Sequence, residues 1–328
     1  MNIASRCIAV IGASSFIGRH LVKTLSGFPD VELRLLIHEN SIDGISSLPN
    51  VHLIPGDLLK PEGLSGLLKP GCTVINLAYL RNSSEADNIA VTNNIVDACC
   101  RAKIKRFVHC STAVVVGSVS DRIITETTEC RPTPGYEQTK WNIEQILEKK
   151  AVDNFELAIL RPTAVFGSGG KNLLKLADEL RNGNRIVNYI KSCLYDSRRM
   201  NLVCVDNVVS ALIFLVNRDG LGDDYKFIIS DDDVPLNNYR DVEKMLMRQM
   251  GYRDYAFPRV ILPRSVLSFV LRLAGRPNTN PDRIYESSKL QKVGYVRAVG
   301  FENGIDSFIN SYMLLHKMNI NKNAGSSK

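Results

Sequence analysis

No stretch of this 328-residue sequence stays apolar for the ~18–20 residues that a bilayer-spanning helix needs. Residues 1–10 carry Arg6 where a secretory leader would need an unbroken apolar run. Both absences lead to the expectation of a cytoplasmic protein with no membrane span. Eight cysteines are present, yet none forms a C-x-x-C pair, and the five histidines make no H-x-x-x-H pattern. Neither a zinc site nor a disulfide framework is expected, no metal is assigned, and buried reduced thiols are the better reading. Basic runs are missing too, since no run of cations exceeds two, as at Arg198-Arg199. The excess of 41 Lys and Arg over 34 Asp and Glu (+7) therefore argues against nucleic acid as a partner and suits an anionic small molecule. Internal repeats and low-complexity segments are lacking. What is present is ordinary globular composition, 45% hydrophobic and 23% charged, enough to bury a core without covalent staples.

The first half alternates β-rich runs with amphipathic segments. Strands are predicted at 7–11, 31–37, 51–54 (short and edge-like), 73–77, 107–110 and 156–160, with helices at 17–25, 88–102 and 136–149. That alternation predicts an α/β fold, a Rossmann-type doubly wound parallel sheet with right-handed crossovers. After Arg161 the pattern loosens. A glycine loop at 167–170, a helix at 172–181, a strand at 202–205 and a helix at 208–216 follow, and the last pair is expected to rejoin the sheet. Beyond Val234 the chain reads as mostly helical, with prolines at 258, 263, 277 and 281. The division that follows is a cofactor domain of 1–166 plus about 200–230, and a smaller, mostly helical substrate-binding lobe of about 167–199 and 231–318. Residues 319–328 are polar and small, and are expected to fray.

Gly12-Ala-Ser-Ser-Phe-Ile-Gly18 follows the first strand and opens the first helix. Gly12 allows the tight turn and Gly18 the close packing of helix on strand, while free N–H groups at the helix start suit a pyrophosphate. Ser15 stands where a middle glycine is common. At the end of the second strand an acid would read the ribose of NAD. The sequence there is Ile37-His38-Glu39. His38 suits the extra phosphate of NADP, and Glu39 leaves NAD open. Further on, Tyr136-Glu-Gln-Thr-Lys140 puts a phenol and an ammonium one helical turn apart on one face. A tyrosine beside a cation can serve as acid or base. Ser111-Thr112 lies 24 residues upstream, just after a strand, where a hydroxyl can hold the substrate oxygen.

Together these segments resemble the extended short-chain dehydrogenase/reductases, the NAD-dependent epimerase/dehydratase family that acts mainly on nucleotide sugars. Gly12 to Gly18 resembles its dinucleotide loop, and Gly56-Asp57-Leu58 its G-D-L segment at the adenine. Val74-Ile-Asn-Leu-Ala78 is similar to V-I-H-L-A, and Asn88 and Thr92 to the N-V-x-G-T helix. Arg106-Phe-Val-His-Cys-Ser-Thr112 with Gly117 is similar to R-F-V-y-x-S-S…Y-G. Leu160-Arg-Pro-Thr-Ala-Val-Phe-Gly167 matches L-R-P…V-y-G, and Val205-Asp206-Asn207 matches V-D-D. The order of the matches is also the family's.

The resemblance implies roles residue by residue. Tyr136 is the acid/base, Lys140 lowers its pKa and binds ribose, and Thr112 holds the substrate oxygen, with Ser111 the weaker candidate. NAD or NADP would meet Gly12, Ser14, Ser15, Phe16, Ile17, Gly18, His38, Asp57, Leu58, Leu77, Ala78, Tyr79, Asn94, Lys140, Pro162 and Val165. Asn172 and Arg199 are the substrate-binding candidates, with a helix N-cap as the alternative for Asn172. Arg276 and Arg283 are weaker diphosphate candidates. A homodimer formed through the helices of Asn88 and Trp141 is implied as well.

Departures narrow the chemistry. Val116, Ser15 and Asn76 replace Tyr, Gly and His. Ala113-Val114 follows Thr112 where 4,6-dehydratases carry Asp-Glu, which argues against that activity. The expected function is a nucleotide-sugar epimerase working at a sugar hydroxyl carbon, C4. An NADP-dependent 4-ketoreductase is the alternative. A hydroxysteroid-type dehydrogenase rests only on the apolar segment 260–274, read otherwise as a core helix or a membrane-surface helix. A non-catalytic NAD(P)-binding regulator conflicts with the retained Thr112, Tyr136 and Lys140.

Overall fold

Strand β1 (Cys7–Ile11) owes its position to five consecutive apolar residues, four of them fully buried, that cannot be satisfied at an edge. The computed structural model describes residues 7–38, 48–64, 66–220, 224–258 and 280–325, with Ile3, Gly222 and Val260. Around β1 lie β2 (Glu32–Ile37), β3 (Val51–Pro55), β4 (Thr73–Asn76), β5 (Arg106–Cys110), β7 (Glu156–Pro162) and β10 (Lys226–Ile229). They form one parallel sheet in the order β10-β7-β5-β4-β1-β2-β3, with β3 at the edge as expected.

Alternate residues sort onto the two faces. Ile8, Val10, Val108, Cys110, Ala158 and Leu160 meet helices α1 (Phe16–Leu25) and α6 (Val205–Asn217). Ala9, Ile11, Val74, Phe107, Leu157 and Ile159 meet α2 (Glu85–Ala102) and α3 (Tyr136–Ala151). That is the doubly wound arrangement. Strand order reverses between β1 and β4, which opens a crevice above their carboxyl ends.

The later elements are richer than the sequence reading. Strand β8 (Ala164–Phe166) pairs with β9 (Leu202–Cys204) in a separate two-stranded ribbon, so 202–204 does not enter the main sheet. The element that rejoins the sheet is β10, beside β7, while α6 returns to its face. A second ribbon joins β6 (Ile123–Ile124) to β11 (Ile284–Tyr285). Helices α4 (Leu174–Asn182), α5 (Arg185–Tyr195), α7 (Tyr239–Gln249), the short α8 (Ser288–Lys292) and α9 (Phe301–Gly325) complete the chain. Phe166, Leu176, Val242, Leu246, Phe301, Ile305 and Phe308 form a separate apolar core under the helical part. Helix α9 continues through 319–325, which the sequence reading assigns to the tail. The apolar segment 261–274, Glu39 and Arg276 lie outside the described residues. Among the described residues no helix is long and apolar enough to cross a membrane.

Helix α1 approaches β1 so closely that a methyl group on Gly18 would collide with the Gly12 and Ala13 carbonyls. Gly18→Ala is therefore expected to cost about 1–3 kcal/mol as an overpacked site, read as a lower urea midpoint with an unchanged slope.

Candidate active site

The loop after β1 turns at Gly12, whose φ is +84°. A side chain there would press on the Leu77 carbonyl carbon and the Ala78 nitrogen, each 3.0 Å away. The loop thus sits against the end of β4. The Ser15 hydroxyl caps α1 by accepting the Gly18 N–H at 3.1 Å. Asn76 turns the chain after β4, its side-chain oxygen accepting the Ala78 N–H at 3.0 Å. On the adjacent loop, Asp57 Oδ1 accepts the Leu59 N–H at 3.0 Å, and Asn94 Nδ2 donates to the Leu58 carbonyl at 3.1 Å. His38 is exposed just beyond β2.

Above these ends opens a cleft of about 670 Å³. Ser14, Ser15, Phe16, Ile17, Ser111, Thr112, Tyr136, Pro162, Val165 and Asn172 all line it. Residues that follow β1 and β5, with others from β7 and α3, separated by up to about half the chain, thereby meet in one place. Tyr136 opens α3 and is 46% exposed. Tyr79 packs its ring edge-on against Tyr136, with centroids 5.0 Å apart. One turn further along the helix, Lys140 is buried, 5.2 Å from the Tyr79 ring centre, and donates to the Cys110 carbonyl at 3.2 Å.

Burial around its hydroxyl pushes the Tyr136 pKa up to about 12, against the neighbouring Thr112 hydroxyl and the charge of Arg81, which both lower it. Burial also holds the Lys140 ammonium below its ordinary value. The lysine is thus anchored on a backbone carbonyl, and the phenol is a proton donor at neutral pH.

The two hydroxyls after β5 have different surroundings. Ser111 donates to the buried Glu144 carboxylate. The other Glu144 oxygen accepts Arg161 Nη2 at 2.5 Å, and Arg161 Nε adds bonds at 3.1 and 3.2 Å. Thr112 remains beside Tyr136. Asn172 faces the cleft, but its amide donates to the Val165 carbonyl at 2.7 Å, and α4 starts only after Leu173. It is therefore not the N-cap of that helix. Arg199 does not line this cleft. It faces a neighbouring pocket of about 380 Å³ with Lys175, Lys191 and Arg198, and reaches the Val234 carbonyl at 3.2 Å. Arg283 is buried and braces the Gly117 and Val119 carbonyls, at 3.1 and 2.5 Å.

Residues 8–227 match the NAD dependent epimerase/dehydratase family. The chain belongs to that family. It is an enzyme of the extended short-chain dehydrogenase/reductase type whose cofactor is a nicotinamide dinucleotide. A low-salt glycan biosynthesis protein of Haloferax volcanii is 23% identical over 93% of this chain and 98% of its own length. A human decarboxylating sterol-4-alpha-carboxylate 3-dehydrogenase is 25% identical over 97% of this chain and 91% of its own. The crystal structure of UDP-glucuronic acid 4-epimerase from Bacillus cereus, in complex with UDP-glucuronic acid and NAD, superposes with a TM-score of 0.70. It is 18% identical and covers 94% of this chain and 99% of that one.

The residues fit the family's cofactor. Ser14 to Ile17 present the start of α1 to the cleft, and Gly12 and Gly18 keep side chains out of the turn. Several contributors escape a motif reading. Arg19, Arg81 and Lys171 line the cleft as isolated cations in the sequence. Glu144 continues the spacing of Tyr136 and Lys140 by one more turn, a signal that a helical-face reading extended past Lys140 would catch. His20 on α1 joins three segments: Nε2 lies 2.8 Å from the Ser168 carbonyl oxygen and Nδ1 3.7 Å from Asp206 Oδ1. Its neighbour Phe16 fills the space that Gly170 leaves without a side chain.

Two measurements follow. Glu144→Ala strands a buried guanidinium and is expected to lose about 3–5 kcal/mol of unfolding free energy in urea. The second concerns His20, whose pKa is raised chiefly by the neighbouring Asp206 carboxylate, while that of Asp206 is lowered by the same ion pair. The contribution of His20 is complete below its ordinary value of 6.5 while Asp206 stays ionised, and is lost as the pH rises through the raised value. His20→Gln is expected to flatten the stability profile on that side, seen in melting temperatures across neutral pH.

Proposed function

We propose that this enzyme is a nucleotide-sugar epimerase that inverts a hydroxyl-bearing carbon, C4, through a keto intermediate. The supporting observation is the lining of the cleft. Thr112 and Tyr136 stand together in it, accompanied by Arg19, Arg81 and Lys171, and no carboxylate is among its described lining residues. A dinucleotide and a nucleotide sugar each bring a diphosphate that such a cleft can neutralise. A sterol brings none, which weighs against the activity named for the human relative. The glycan role named for the archaeal relative and the substrate named for the Bacillus epimerase point the same way.

Thr112 holds the substrate oxygen and Tyr136 exchanges the proton of that hydroxyl at its Oη. A nicotinamide dinucleotide held at the Gly12–Gly18 turn and by Lys140 would supply reversible hydride transfer at that carbon. Lys140, fixed by the Cys110 carbonyl, supplies positive charge beneath Tyr136 and a donor for the cofactor ribose. Ser111 serves the buried ion pair rather than the substrate. Asn172 meets the diphosphate in the cleft, and Arg199 the nucleotide end in the neighbouring basic pocket. The enzyme works as a cytoplasmic homodimer, with a cofactor unit of 1–166 and about 200–230 and a substrate lobe from the rest.

A 4-ketoreductase is the second reading, favoured by His38 at the position of a ribose-binding acid. An epimerase interconverts UDP- or dTDP-hexoses with its cofactor retained, whereas a ketoreductase consumes NADPH in step with a 4-keto sugar. Tyr136→Phe is expected to lower kcat about 10²–10⁴-fold with little change in KM. Thr112→Val is expected to fall similarly, while Ser111→Ala retains most turnover. Full activity of Tyr136→Phe would overturn the mechanism.

A further inference from the structure

The end of the sheet opposite the cleft carries an unusual side-chain grouping. Strands β1 and β4 pair in parallel with Ile8 opposite Thr73 and Ala9 opposite Val74. One step back along both chains, Cys7 stands beside Cys72. Side chains of register partners in a parallel pair point to the same face, and both cysteines share the parity of Ala9, Ile11 and Val74, whose side chains pack under α2 and α3. Neighbouring strands run about 4.8 Å apart, inside the ~4.4–6.8 Å range of Cα separations that a disulfide bridges. Cys72 is 1% exposed and Cys7 half-buried.

We propose that Cys7 and Cys72 form a reversible oxidation site, a dithiol that a hydroperoxide converts to a cross-strand disulfide. The Cys72 thiolate attacks one peroxide oxygen. The O–O bond breaks, the departing oxygen leaves as water and Cys72 becomes a sulfenic acid. The Cys7 sulfur then attacks the Cys72 sulfur, the S–O bond breaks, and the second water carries off the Cys7 proton. Two thiols give up two electrons and one hydrogen peroxide becomes two waters.

The surroundings suit the division of labour. A hydrogen bond from Cys7 is the largest influence on Cys72, bringing its pKa down to about 7, with the Lys69 backbone and Arg34 acting in the same sense against burial. Cys7 itself is pushed up by the same bond and by burial. Glu32, the register partner of Cys7, opposes ionisation of both thiols. Cys99 on α2 also belongs to this cluster and is the competing partner.

The test uses the full chain, treated with hydrogen peroxide, alkylated and digested without reduction. The expected result is a Cys7–Cys72 cross-linked peptide, loss of two of the eight alkylatable thiols, and recovery of both with dithiothreitol. Cys99→Ser is expected to keep the link. Cys7→Ser is expected to leave Cys72 as a sulfenic acid that dimedone traps. Retention of all eight thiols, a Cys72–Cys99 link, or conversion of Cys72 to a sulfinic acid in the unmutated chain would overturn the proposal.

Discussion

A single buried ion pair organises the catalytic end of this molecule. Arg161 is 1% exposed and Glu144 is fully buried, so neither charge can turn to water. Such a pair is tolerable only when the remaining hydrogen-bonding capacity is met. Most of it is met here: the Ser111 hydroxyl donates to the carboxylate and the Trp141 ring lies 5.7 Å from the guanidinium carbon, while Arg161 Nη1 is left without a hydrogen-bond partner. The partners come from three elements, α3, β7 and the end of β5, and locking them sets the rotation of α3 about its axis. Once Glu144 faces inward, Lys140 and Tyr136, one and two turns earlier, must face the same crevice. The Tyr–Lys spacing has meaning because Glu144 fixes which way it points.

The same pair separates the roles of two adjacent hydroxyls. Ser111 and Thr112 are adjacent, with Thr112 the stronger candidate in the sequence pattern, and successive side chains near the end of a strand leave on different sides. The side toward Glu144 claims Ser111, and Thr112 is left beside Tyr136. On the other wall, Phe16 and His20 hold the glycine loop 167–170 onto α1. The cleft is therefore bounded by one wall locked by a buried ion pair and another clipped by a partly exposed histidine.

Legibility in the sequence follows the range of the forces involved. The central strands β1, β4, β5 and β7 were readable because each is a nearly continuous buried run, and α1, α2 and α3 because each has its own buried face. Gly12, Gly18, Tyr136 and Lys140 were readable because their spacing is dictated by local geometry. Ala164–Phe166 escaped because a three-residue strand directly after β7 looks like its continuation. Helix α5 escaped because Ile186, Val187 and Ile190 are exposed, so its apolar residues do not mark the buried face. Strand β10 is four residues long and is held by β7, more than sixty residues earlier. Arg81 and Lys171 carry no local signature at all, since only the tertiary fold brings them to the cleft.

The electrostatics of the cleft bear on how proton transfer is controlled. Desolvation raises Tyr136 and depresses Lys140, so both groups are driven toward their neutral forms. Arg81 counteracts the first effect and adds to the second, because a cation favours phenolate but disfavours a second ammonium. The protein's own charges therefore leave Tyr136 protonated near neutral pH. Taking a proton from a substrate hydroxyl requires the phenol to ionise, which the charge of Arg81 favours and burial opposes. Donating a proton requires nothing further. The site as built is a ready acid and a weaker base.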